Sequence, residues 1–106
     1  MDLTHKATEA AALMKALSNE HRLLVLCHLV SDEELTVGEL VDRVGPSQSA
    51  LSQHLARLRE QGLVAFRRDA QTLHYRLADP KAGQVLDLLR DLFCPELGAA
   101  GKAATH

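Results

Sequence analysis

Cys27 and Cys94 are the only two thiols in a chain of 106 residues. Thiols can be oxidised, bridged or bound to a metal, or can simply fill space, since cysteine is among the residues most often buried. A single pair 67 positions apart is not the framework of a disulfide-stapled domain. Any link between the two would be conditional. A second chemistry lies in the run Ser47, Gln48, Ser49, Ser52, Gln53, His54 and Arg57, followed by Arg67, Arg68 and Gln71. Ser and Gln suit hydrogen bonding to base edges, and Arg suits holding phosphate. No Gly-x-Ser-x-Gly elbow, phosphate-cradling Gly-rich loop or zinc-protease helix accompanies them, so an enzyme is not expected. His54 reads as a packing or phosphate contact rather than a ligand.

The elements that must position these residues are mostly helical. Ala10, Leu13, Met14 and Leu17 recur at helical spacing, which predicts a first amphipathic helix from near Thr8. Ser18 or Asn19 can cap a second helix that is apolar nearly all round from Leu23 to Val30 and so belongs in the middle of the fold. Thr36 and Glu39 have the spacing of a capping box, flanked by Leu35 and Leu40, and open a short third helix that ends near Gly45-Pro46. Ser47 caps a fourth, with Leu51, Leu55 and Leu58 inward and Gly62 as its stop. The period then changes to two through Val64 and Phe66 and again through Leu73, Tyr75 and Leu77, which predicts a β-hairpin. Its tip near Asp69-Ala70-Gln71 lacks Asn-Gly or Asp-Gly, so a longer loop is expected. Asp79-Pro80 opens a last helix, with Val85, Leu86, Leu88, Leu89, Leu92 and Phe93 as a broad stripe ahead of Pro95.

Composition bounds what this can be. With 46% hydrophobic and 25% charged residues the chain is an ordinary globular one, and its length suits a single domain, expected to be ordered over about 8–97 with a mobile N-terminus and 98–106 tail. The longest apolar stretch is broken by His28 and falls well short of the ~20 residues that span a bilayer. No basic segment leads into an apolar run at the N-terminus, and the expected location is the cytoplasm.

Helix, tight connection, helix with a small polar outer face, and basic hairpin form the order of a winged helix-turn-helix, whose second helix enters the major groove. Charge agrees with that order. Between Ser47 and Arg76 five arginines stand against Glu60 and Asp69, a net +3 in a chain of net −2. A solvated helix face and an edge-strand guard at Arg67-Arg68 would explain either segment alone, but not the sequence of elements together.

The run Ala16-Leu17-Ser18-Asn19-Glu20-His21-Arg22-Leu23, the stretch Ser47 to Leu55 with Leu58-Arg59-Glu60-Gln61-Gly62-Leu63-Val64, and Arg67-Arg68-Asp69 leading to Tyr75-Arg76-Leu77 resemble the arsenic-repressor (ArsR) family of dimeric winged-helix repressors. The likeness covers about residues 8 to 94. It implies a mainly α fold with a β-hairpin wing, a homodimer built on the first and last helices, and binding to double-stranded operator DNA with inverted-repeat symmetry until an inducer arrives. Ala70 departs from the glycine common at the family's wing tip.

Many members sense metals through two cysteines at the start of the third helix, where this chain reads Glu34-Leu35-Thr36-Val37-Gly38-Glu39-Leu40. Others use Asp and His along the last helix, which here has Asp87 and Asp91 and no histidine. No metal or other cofactor is expected from these sites. Cys27 and Cys94 resemble the thiol pair of the persulfide-sensing branch (SqrR- and BigR-like repressors), in which reactive sulfur joins two thiols and DNA is released. That resemblance implies control of sulfide-response genes. A disulfide requires Cα atoms within ~4.4–6.8 Å and each inserted sulfur adds a bond of ~2.05 Å, so thiols slightly too far apart would select a polysulfide bridge. His28, about 100° round the helix from Cys27, is not expected to share its site. Sensing of a metal, an arsenical or a general oxidant through the same thiols stays open, as does a winged-helix module that binds protein instead of DNA.

Overall fold

The computed structural model describes residues 2–94. The expectations for Pro95 and for the 98–106 tail lie outside the described residues. Helix α1 runs Leu3–Leu17, α2 Glu20–Ser31, strand β1 Leu35–Thr36, α3 Val37–Val44, α4 Gln48–Glu60, β2 Val64–Asp69, β3 Thr72–Leu77 and α5 Pro80–Phe93. The three strands form one antiparallel sheet in the order β1-β3-β2. Leu26, Leu40, Leu51, Leu55 and Leu58 are fully buried and draw α2, α3 and α4 into one core. Tyr75 of β3 closes it from the sheet side, its ring 5.4 Å from that of Phe66. No described helix is long and apolar enough to cross a membrane.

Local signals account for most boundaries. Asn19 caps α2 by accepting from the Arg22 amide at 3.0 Å, while the Arg22 guanidinium donates from Nε to the Ala16 carbonyl at 2.8 Å. One residue thus helps to close the end of α1 and to start α2, supplying a donor to a carbonyl that lacks a helical partner. The capping box at α3 is complete: the Glu39 amide donates to Thr36 Oγ1 at 3.2 Å and the Thr36 amide to Glu39 Oε1 at 2.9 Å. Gly45 ends α3 at a φ of +97°, in the left-handed region where glycine carries no Cβ penalty. Ser47 Oγ accepts from the Ala50 amide at 3.1 Å and Asp79 from the Lys81 amide at 2.9 Å, each at the expected helix start.

Three expectations need correction. Helix α1 begins at Leu3 and not near Thr8. Residues 3–9 are exposed, so no apolar period marks them; they are held by the Asp2 cap on the Thr4 and His5 amides and by the His5–Glu9 contact at 3.0 Å. The hairpin closes through only two residues, Ala70 and Gln71, because Asp69 pairs directly with Thr72. Ala70 supplies the positive φ, +57°, that such a turn requires, at a cost of about 1–2 kcal/mol for a residue with a Cβ. Finally, the hairpin gains a third strand, since Leu35 pairs with Tyr75 and Thr36 with His74. Two residues are too few to show a period.

Candidate functional site

The polar cluster of the fourth helix stands where DNA could reach it. Leu51, Leu55 and Leu58 anchor α4 in the core, and this fixes Gln48, Ser49, Ser52, Gln53 and Arg57 on its exposed side, with the cap Ser47 also exposed. Arg68 and Gln71 project from the hairpin into solvent. Besides the cap Ser47, two residues of the expected set have partners inside the chain. Arg67 donates from Nε to both Glu34 carboxylate oxygens, at 2.9 and 3.0 Å. Its guanidinium holds Glu34 below the usual carboxylate range. His54 is half-buried with its ring 5.8 Å from that of His21. Burial first, then Arg22, His21 and Arg57, lower its pKa, so the imidazole is neutral at pH 7 and suited to packing rather than to holding phosphate as a cation. Arg57 meets Lys15 and Arg22 around a hollow of about 200 Å³ where the ends of α1 and α4 approach.

The two thiols come together elsewhere. Cys27 on α2 and Cys94, the residue that caps α5, border one groove of about 490 Å³ between those helices. Neither belongs to the core: Cys27 is exposed and Cys94 half-buried, and both are free thiols. Within the single chain, then, neither thiol is packed in the core. Helix α2 is apolar all round because Leu24 and Cys27 face this groove while Val25, Leu26 and Leu29 face the core. Partial burial pushes the Cys27 thiol up, the neighbouring Cys94 pushes it further, and Arg90 opposes both.

The groove also holds residues that periodicity did not single out. His28 lies at its edge, contrary to the expectation that it would point away from the Cys27 site; a groove this wide admits neighbours 100° apart on one helix. Arg90 and Asp87 contribute from α5, joined by a bond from Nη2 to Oδ1 at 3.1 Å. Asp87, Arg90 and Cys94 stand at helical spacings of three and four, a signal present in the sequence once Cys94 is taken as the reference. Among the described residues no group of three or more His, Cys, Asp or Glu is arranged to hold a metal ion.

Known proteins resemble this chain closely in sequence and fold. Residues 19–65 match the family described as bacterial regulatory protein, arsR family. The chain is 47% identical over 93 residues to the transcriptional activator HlyU of Vibrio cholerae, covering 88% of this chain and 85% of that protein. It is 42% identical over 95 residues to the biofilm growth-associated repressor of Xylella fastidiosa, covering 90% and 82%. Among solved structures, reduced HlyU from Vibrio cholerae superposes with a TM-score of 0.82 at 47% identity, over 87% of this chain and 96% of that one. The repressor BigR from Xylella fastidiosa gives 0.81 at 43% identity, over 88% and 94%. The chain belongs to the arsR family of bacterial regulatory proteins and is a DNA-binding winged-helix regulator of transcription.

Proposed function

We propose that the protein is a homodimeric repressor that holds an inverted-repeat operator and releases it when Cys27 and Cys94 are joined by a polysulfide bridge, so controlling sulfide-response genes. The observation that carries this reading is the shared groove: two thiols 67 residues apart in sequence border one cavity, outside the core and accessible to a small reagent. In each subunit α4 would enter the major groove with Gln48, Ser49, Ser52 and Gln53 toward base edges, while Ser47, Arg57, Arg68 and Gln71 meet the backbone. Arg67 would add a phosphate contact from the guanidinium edge turned away from Glu34. His54 would support α4 from behind.

The chemistry balances without an outside oxidant. The Cys27 thiolate takes the outer sulfur of a persulfide R–S–SH and expels RSH, and a second persulfide extends the product to Cys27–S–S–SH. Cys94 then attacks the middle sulfur and expels H₂S, leaving Cys27–S–S–S–Cys94. Two thiols and two persulfides thus give one trisulfide, two RSH and one H₂S. Since burial keeps Cys27 protonated at neutral pH, the first step should quicken as pH rises toward the usual thiol range.

Mass spectrometry of the reduced protein after anaerobic exposure to a persulfide donor, with hydrogen peroxide and a disulfide oxidant in parallel, tests the switch. A sulfur-inserted link between Cys27 and Cys94 formed by persulfide alone is the expected product. Cys94→Ser should leave operator affinity within about twofold yet abolish release by persulfide, and a normal response in that variant would sink the proposal. A metal or arsenical sensor using the same thiols predicts instead that such an ion protects both from alkylation.

A further inference from the structure

We propose that Arg90 docks the carboxylate of a low-molecular-weight organic persulfide and so sets its outer sulfur before Cys27; this rests on the thiol-switch reading above. The groove offers an organic donor two kinds of contact. Its walls are largely aliphatic and aromatic, with Leu24 and Leu86 among them, which suits the carbon skeleton of a thiol compound. Among the described residues its one permanent cation is Arg90, on the opposite helix from Cys27 and one turn before Cys94, whose amide donates to the Arg90 carbonyl at 2.8 Å. The guanidinium lies near enough for its charge to act on the Cys27 thiol. A guanidinium presents five donors in a planar fork matched to a carboxylate, and the bond to Asp87 engages one. That pair is half-exposed, of a type that contributes little and exchanges readily for a better-placed acid.

In the step so positioned, the Cys27 thiolate forms a bond to the outer sulfur of R–S–SH and the inner S–S bond breaks. The electron pair and a proton leave with RSH, and Cys27 becomes a persulfide. No further oxidant or reductant enters.

The test follows the rate of Cys27 sulfuration in the full chain by quenched alkylation and mass spectrometry. Two donors share the –S–SH group, and each is compared with itself across the variants: glutathione persulfide, which carries two carboxylates, and the persulfide of N-acetylcysteine methyl ester, which has none. Arg90→Gln is expected to slow the glutathione donor roughly tenfold while leaving the ester within about twofold, with Arg90→Lys restoring part of the loss. Thermal melts of each variant, matched to the parent, confirm that it is folded. Equal slowing with both donors would mean that Arg90 acts on the thiol or on the groove in general and would overturn the docking. Unchanged rates with both would overturn it as well. Were neither donor to modify Cys27 in the parent protein, the switch itself would fall, a result distinct from either of these.

Discussion

The half of the molecule that carries α3 and α4 and the half built from its terminal helices bury their apolar surface to very different degrees. Helices α3 and α4 lock Leu40, Leu51, Leu55 and Leu58 into the core and turn Ser, Gln and Arg outward. Helix α5 buries only Ala82 and Leu86, leaving Leu92 63% and Phe93 77% exposed, and α1 buries only Ala16 and Leu17 at its end. The first region is complete within one chain. The second carries a broad apolar stripe that none of the described residues covers, as expected of surfaces that meet another copy, and the groove with both thiols opens beside it. On the reading proposed above, one chain thus holds a finished DNA-reading surface and an unfinished sensing one.

Paired truncations test that contrast most severely. Leu55→Ala should cost about 2–5 kcal/mol in urea unfolding because its site is closed on all sides. Leu92→Ala should change the stability of a subunit by less than about 0.5 kcal/mol, yet make melting more dependent on protein concentration if α5 holds the dimer. Equal losses in the two variants would erase the distinction.

Within the reading surface, α4 and the hairpin should separate by their salt behaviour. Gln53→Ala is expected to cost about 1–3 kcal/mol against the operator, with the slope of affinity on salt unchanged. Arg68→Ala should weaken all sequences alike and shallow that slope by about 0.9. Titrations at several salt concentrations on operator and unrelated DNA distinguish base reading from backbone holding.

The smallest effect concerns pH. His54 has a folded pKa below its ordinary 6.5. The unfolded chain therefore binds the proton first. Its contribution to stability is present above pH 6.5 and is lost as pH falls through the folded value. Melting temperature should fall between pH 7.5 and 5.5, and His54→Gln should flatten part of that fall. A slope unaltered by the substitution would show that the burial of His54 does not couple its protonation to folding.

Legibility in the sequence followed how the chain solves each local problem. Thr36, Ser47 and Asp79 mark helix starts because capping uses a side chain of fixed type at fixed spacing. The first turns of α1 escaped notice because an exposed helix needs no apolar stripe, and the tight turn escaped because alanine stands where glycine or asparagine would announce it. The outward face of α4 was legible almost whole, since Leu51, Leu55 and Leu58 fix which side of the helix is buried. Arg67 was placed without its partner, because Glu34 lies 33 positions away and no local spacing reports that contact. The exposure of Cys27 was hidden in a run that looks uniformly apolar, and only the packing of α5 against α2 separates its core side from its groove side.

The few residues after α2 are fastened on three sides. Asp32 pairs with Arg43 of α3, Glu34 holds Arg67 of β2, and Leu35 and Thr36 are stitched to β3. A movement of the last turn of α2 would reach the wing chiefly through the pairing of Leu35 and Thr36 with β3, because the two ion pairs lie at the surface and exchange readily. Tension applied at Cys27, one turn before that end, would be delivered to the wing as to the far arm of a lever, with residues 32–36 as its linkage.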